Sequence, residues 1–237
     1  MKKLNLLNRI YLTVLVLLCI ATTIKIIRYK SWTRYYFSAS VCAPKTYPVY
    51  VRDCYFILSD GQIGNIGTGD VNDHRSDWGN SEFEETYEKQ QLPVKLVLEY
   101  ASYREKAFYR DTIDLPADSI SRIFKSSRSK GINQTLYRPG GDVGGLNFLI
   151  GIANKGNVVV WLQGKNYEVT VMKHRIVARE PVGDQTYHEG RLSKKQYFEK
   201  VFYIDKDLQE AMDQGKDRNA NYIDSSTHYI RPLPPGF

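Results

Sequence analysis

Glu99 and Glu105 come nearest, by type and spacing, to catalytic chemistry in this sequence. Two carboxylates straddling a tight turn could serve as the acid and base pair of a glycosidase. Arg104 and Lys106 flank Glu105, however, so a structural ion pair is the expected role there. The histidines His74, His174, His188 and His228 fall in separate segments without ligand spacing, and His174 reads as a solvated or capping residue at a strand end. Asp70, Asn72, Asp73 and His74 carry metal-binding donors within one loop, but a solvated loop tip is the expectation. Asp217–Asn221 begins like a calcium loop and then departs from it. Tyr222 stands where Gly is required, and His228 where Glu is. The sequence has no Gly-x-Ser-x-Gly elbow, His-Glu-x-x-His or Cys-x-x-Cys. The glycines at 61, 64, 67 and 69 lack the Gly-Lys-Ser/Thr that ends a phosphate loop. The expected protein is therefore not an enzyme, with no catalytic residues, no cofactor and no metal.

The elements that could position a binding surface are clearer. Leu146–His174 reads as three apolar strands joined by turns at Asn154–Asn157 and Gln163–Asn166, where Asn and Gly accept positive φ at little cost. Val158–Leu162 is apolar on both faces, as a central strand buried on both sides should be. Pro48–Ser59 reads as the first strand of the folded body, and Val94–Tyr100 alternates with Phe108–Asp114 returning beside it. Pro116 opens a helix carrying Ile120, Ile123 and Phe124 on one face. Ser193 and Gln196 form a capping box for a second, and Asp205 caps a third that Gly215 ends. Arg231–Phe237 is an extended tail. Trp161 within its apolar run reads as core rather than as a sugar-stacking ring.

The chain of 237 residues carries a formal net charge of +7. Lys2, Lys3, Arg9, Lys25, Arg28, Lys30 and Arg34 supply it, and no acid accompanies them before Tyr35. Setting those seven aside leaves 26 of the 33 basic residues against 26 acidic ones. A nucleic-acid groove would need its excess positive charge in the folded body, so that class is set aside. The basic residues flank an apolar run instead. Residues 1–9 form a short basic tail, 10–27 a membrane anchor or signal segment, 28–47 a juxtamembrane linker, and 48–237 the globular domain. Ile10–Ile24 as a helix spans about 22 Å, and about 27 Å if extended to Ile27 with Lys25 snorkelling. An uncleaved single-span anchor is expected, with a cleaved signal peptide as the alternative. Cys42 and Cys54 could close a short disulfide loop in an oxidising compartment.

One further group of residues carries a family likeness. Leu92-Pro93 and the strand through Tyr100, then Ser102, Glu105, Phe108-Tyr109 and Leu115-Pro116, make one block. Phe148–Ala153, Gly156-Asn157, Val158–Leu162 and Gly164 make the other. Together they resemble the bacterial domain of unknown function 2931 family, over roughly Pro48–His174. The resemblance implies an uncharacterised envelope or lipoprotein-like protein and, by the genes its relatives neighbour, an immunity partner of a secretion-system effector. Leu18 before Cys19 departs from the lipoprotein form.

The expected architecture is a β-rich α+β fold: an antiparallel sheet or sandwich with two or three peripheral helices, plus one N-terminal transmembrane helix. The expected function is a non-catalytic envelope protein that binds a protein partner, with a carbohydrate or cell-wall module as the alternative. The expected place is the bacterial inner membrane, single-pass, with the domain in the periplasm. Contact residues are expected on the loops 61–91 and 131–145: Asp70, Asp73, Trp78, Glu82, Glu84, Glu85, Tyr137 and Arg138. The acids among them suit a basic partner. Trp78 and Tyr87 are the stacking candidates of the alternative.

Overall fold

A computed structural model of the chain describes residues 5–66, 78–80, 85–181, 187, 191–202 and 204–224. It contains two units, Met1–Arg34 and Tyr35–Phe237. In the first, helix α1 runs Leu6–Tyr29 over 24 residues. The Asn5 side chain caps it by accepting from the Asn8 N–H at 2.8 Å, and Lys30 ends it in the left-handed region at φ 48°. At 1.5 Å per residue the helix is about 36 Å long, which exceeds a ~30 Å hydrocarbon core. None of its residues is buried, and its apolar window has a mean hydropathy of 2.4. It is one helix long and apolar enough to cross a membrane. The sequence-based span of 10–27 falls short because Leu and Arg, good helix formers, carry the helix on at both ends.

In the second unit the strands are β1 (Arg34–Tyr35, across the boundary), β2 (Phe37–Cys42), β3 (Val49–Leu58), β4 (Ile63–Asn65), β5 (Gln90–Gln91), β6 (Pro93–Ser102), β7 (Ala107–Asp114), β8 (Gln134–Leu136), β9 (Val143–Ile152), β10 (Asn157–Gly164) and β11 (Tyr167–Arg175). Two sheets dominate among the described residues. One has the order β11-β10-β9-β2 with β8 also on β9, and the other the order β4-β3-β6-β7. All the pairs within them are antiparallel except β2 with β9, which is parallel and makes the first sheet mixed. The helices are α2 (Ala117–Ser127), α3 (Lys194–Lys200) and α4 (Lys206–Asp213). The protein is thus α+β and strand-rich.

Alternation along the strands explains the layering. Leu96, Leu98 and Tyr100 of β6 share one core with Phe148, Ile150 and Ile152 of β9 and Val158, Val160 and Leu162 of β10. Rings join the two sheets directly: Phe56 of β3 lies 5.1 Å from Phe148 of β9. Helix α2 closes this core with Ile120 and Phe124, the latter stacked 5.8 Å from Phe148. The opposite face of β10 is buried as well. Val159 and Trp161 pack there with Cys42, Leu149, Trp78 and Ile223. On the outer face of the other sheet, Tyr197 and Phe198 of α3 cover Ala101 and Phe108. The Ser193 and Gln196 capping box forms as the sequence suggests.

Strand β2 lies inside the stretch read from sequence as a juxtamembrane linker. Its Phe-Ser-Ala-Ser-Val-Cys alternates apolar with small polar residues, the pattern of a half-buried strand, yet most of it is buried on both faces. The reason is a partner 109 residues away, since Ser38 Oγ donates to Asn147 Oδ1 at 3.0 Å. That bond starts a row across four strands in register, Ser38, Asn147, Gln163 and Glu168. Asn147 Nδ2 donates to Gln163 Oε1 at 3.2 Å, and Gln163 Nε2 to Glu168 Oε2 at 2.7 Å. Asn147 is fully buried at no polar cost because the row satisfies it.

The Cys42–Cys54 bridge that the spacing allows is not formed in this structure. Both are free, buried thiols on strands of different sheets. Cys42 faces the outer layer and accepts from the Gly79 N–H at 3.4 Å, while Cys54 belongs to the shared core. Burial pushes the Cys42 thiol up to about 12, and burial pushes Cys54 up as well. A thiol so far from ionisation is a poor nucleophile. Maleimide at pH 7 should label neither cysteine in the folded protein and both after denaturation, as mass spectrometry of the adducts would read. Labelling of Cys42 without unfolding would contradict this packing.

Candidate functional site

The two loops singled out from sequence meet. Glu85 and Tyr137 form a parallel bridge, and the Thr86 N–H donates to the Tyr137 carbonyl at 2.9 Å. Tyr137 follows β8, whose Leu136 is fully buried and fixes the root of the loop. The next four residues, Arg138-Pro139-Gly140-Gly141, make a tight turn closed by Gly141 N–H to Arg138 C=O at 3.0 Å. Proline at the second position and Gly140 at φ 90° suit the type II geometry. Arg138 Nε donates back to the Gly141 carbonyl at 3.2 Å, which holds the guanidinium in place.

That guanidinium is shared with a residue from the sequence-based linker. Arg138 Nη1 donates to Tyr36 Oη at 2.9 Å and its carbon lies 5.5 Å from the Tyr36 ring centre. Lys89 places its ammonium 5.6 Å from the same ring. Tyr87 and Tyr137 stand 66% and 56% exposed, far more than a tyrosine placed only for packing requires. A hydrogen bond to Glu85 pushes the Tyr87 phenol upward from its ordinary range. The patch thus combines two exposed rings, a guanidinium, an ammonium and a carboxylate on a rigid turn. Such a surface recognises by stacking, hydrogen bonding and charge. Tyrosine and arginine are also the residues that most often dominate binding energy at protein interfaces.

Of the other expected contact residues, Asp70, Asp73, Glu82 and Glu84 lie outside the described residues, as does the Asn72–His74 part of the candidate metal loop. The tail Arg231–Phe237, His188 and His228 do too. Trp78 is described and stands apart from the patch. It packs 5.0 Å from Trp161 and 5.4 Å from Tyr222 and is partly buried there. The sequence reading missed Tyr36 and Lys89. Tyr36 sits in an aromatic, basic stretch that resembles a membrane-interface anchor, and nothing local signals its pairing with a residue 102 positions away.

The two carboxylates nearest to catalytic spacing are both engaged. Glu99 pairs with Arg52 at 3.3 Å and Arg110 at 3.5 Å. Glu105 accepts from Tyr109 Oη at 2.8 Å and from the Lys155 N–H at 2.6 Å. Each thus fastens its own neighbours, and Arg104 donates instead to the Thr46 and Lys216 carbonyls. His174 Nε2 meets Asp111 Oδ2 at 2.9 Å, joining the edge strand β11 of one sheet to the edge strand β7 of the other. Asp217, at the head of the broken calcium motif, accepts from Thr46 Oγ1 at 2.8 Å.

Against this architecture, one family profile aligns with residues 25–226, nearly the whole folded unit together with the end of α1. The chain belongs to the family described as protein of unknown function (DUF2931). The match extends past both sequence blocks that carry the resemblance, taking in β2 and the helices after β11. It therefore makes Tyr36, Glu85, Tyr137 and Arg138 part of the DUF2931 domain proper. No curated protein and no solved structure matches the chain.

Proposed function

We propose that this DUF2931 protein is a membrane-anchored, non-catalytic protein of the bacterial envelope that binds a protein partner through the Tyr36, Glu85, Tyr87, Tyr137 and Arg138 patch. One observation carries the reading: the Glu85–Tyr137 bridge brings a segment carrying exposed Tyr87 to exposed Tyr137, next to an arginine already held by Tyr36 and its own turn. Aromatic rings and a guanidinium fixed before binding lose little entropy when a partner arrives. Helix α1 supplies the anchor in the inner membrane, with the domain on the periplasmic side and an effector of a secretion system as the partner. A wall-binding module is disfavoured because Trp78, its best stacking ring, is partly buried against Trp161 and Tyr222.

The test places a photo-crosslinking amino acid at Tyr87, at Tyr137 and, as a control, at exposed Asp118 in the full-length protein in cells. One discrete adduct from the two tyrosine positions, absent from the control and lost in Arg138→Glu, is expected. With the captured protein purified, Tyr137→Ala and Arg138→Glu should each weaken binding by about 2 kcal/mol, roughly thirtyfold. Equal labelling at Asp118 would remove this surface. Retention on peptidoglycan that Tyr87→Ala abolishes would favour the wall-binding alternative. A periplasmic reporter fused after Phe237 tests the orientation, and activity of a cytoplasmic reporter there would overturn it.

A further inference from the structure

The chain enters its folded unit at one end of the first sheet, and that end carries a cluster of cations. Helix α2 places Phe124 5.3 Å from Tyr35 and 6.3 Å from Phe37, so it lies beside the first residues of the unit. Arg122, Lys125, Arg128 and Lys130 stand exposed along the C-terminal half of α2 and the turn after it. Lys165, also exposed, joins them from the turn between β10 and β11. Ser38, Asn147 and Gln163 share one register, which puts that turn at the end of the sheet where β2 begins. The Lys165 N–H donates to the Ile132 carbonyl at 2.8 Å, and Gly164 leaves no room for a side chain against the same carbonyl. We propose that this basic face docks on anionic phospholipid headgroups of the membrane that α1 crosses, an inference that rests on the reading of α1 as an anchor.

Two observations carry the assignment together. The first is charge without a counter-charge. Among the described residues none of these five cations forms an ion pair, and Arg122 donates to the Ser119 hydroxyl at 3.0 Å. Cations at the end of a helix offset its macrodipole, which accounts for Lys125 and Arg128. It does not account for Lys165, which the fold delivers from another sheet turn. The second observation is the tether. Only residues 30–34 separate the end of α1 from Tyr35, so the chain from Tyr29 to Tyr35 reaches at most about 20 Å. An α1 that crosses a bilayer therefore keeps Tyr35, and the α2 face beside it, within reach of the headgroups. Attraction to an anionic surface acts within about a Debye length, and each lysine or arginine brought that close adds to it. Tethering raises the effective concentration, so individually weak contacts suffice.

The test uses the full-length protein in nanodiscs of phosphatidylcholine, alone or mixed equally with phosphatidylglycerol. A photo-crosslinking amino acid replaces exposed Ser129, between Arg128 and Lys130, and as a control exposed Glu210 on α4. Helix α2 follows β7 where Asp114 faces Lys95 near the start of β6, whereas Tyr103 Oη holds α4 at the far end of β6 by donating to Gln209 at 3.0 Å. Mass spectrometry reads the phospholipid adducts. Ser129 should form at least about tenfold more adduct in mixed discs than in neutral ones, and Glu210 little in either. Lys125→Gln with Arg128→Gln should cut the Ser129 adduct about tenfold with an unchanged thermal transition, while Lys125→Arg with Arg128→Lys should keep it. Salt at about 1 M, where screening shortens to ~3 Å, should also suppress it. Equal adduct in the two lipid mixtures, at the two positions, or in the glutamine variant would overturn the proposal. Gel filtration of the neutral discs reads the anchor separately. Protein lost from them would refute the anchoring of α1 and this proposal together, whereas protein retained without composition-dependent adduct would overturn the basic face alone.

Discussion

Phe148→Ala should destabilise the folded unit by about 3–5 kcal/mol, the largest effect expected of any side-chain truncation here. Phe148 is fully buried on β9, in the layer where three elements converge. Its ring lies 5.4 Å from Phe37 of β2, 5.1 Å from Phe56 of β3 and 5.8 Å from Phe124 of α2. One truncation therefore withdraws contacts from both sheets and from the helix that closes them. The rings around it are held by their own strands, so they cannot collapse fully into the space, and the cavity term adds to the lost transfer energy. Urea denaturation of the full-length protein in micelles, followed by near-ultraviolet circular dichroism, reads the change. Phe148→Leu, which refills part of the volume, should recover a substantial fraction. A loss below about 1 kcal/mol for Phe148→Ala would mean that the two sheets do not share this core.

Gly156→Ala should rank beside it, at about 3 kcal/mol or more. Gly156 sits at φ 75°, between β9 and β10. An added methyl would collide with the Ile176 carbonyl oxygen and stand 2.9 Å from the Tyr109 ring. The collision is with backbone, so a rotamer change cannot relieve it. The same crossing carries a hydrogen bond from the Ile176 N–H to the Gly156 carbonyl at 2.8 Å. Moving the chain to admit the methyl would therefore also strain the exit from β11. Gly140→Ala separates the two causes, because Gly140 has φ 90° with nothing within 4 Å of the added carbon. It should lose only the conformational share, about 1–2 kcal/mol. Equal losses at the two positions would show that the close approach at Gly156 contributes nothing. The Gly140 variant also loosens the turn that carries Arg138, so partner binding should fall with it.

These expectations divide by how far each cause lies along the chain. The central strand Val158–Leu162, the turns around it, the α2 face and the Ser193 capping box are local patterns. A period of two, a period of 3.6 and the hydrogen-bond reach of one side chain all act within a few residues. The exposure of Tyr87 and Tyr137 was legible for the same reason, since polar segments between apolar strands run over the surface. The two cysteines show the limit. Spacing alone allowed a bridge, but the fold puts Cys42 and Cys54 on strands of different sheets. Disulfide geometry is decided by where Cβ atoms point, which spacing does not encode.

What the sequence by itself determined is a helix able to cross a membrane, a strand-rich α+β body with no excess charge, and family membership carried by two blocks of residues. Only the tertiary structure decided that Phe37–Cys42 is buried on its polar face as well as its apolar one. Its parallel partner β9 begins about a hundred residues later, and the Ser38, Asn147, Gln163 and Glu168 row that satisfies its polar side has no local counterpart. Only the tertiary structure set Tyr36 against Arg138 and packed Trp78 on Trp161. Short-range preferences are written residue by residue in the chain, whereas the meeting of distant side chains depends on how whole sheets stack. That stacking is a property of the packed core, and it is where the proposed contact patch arises.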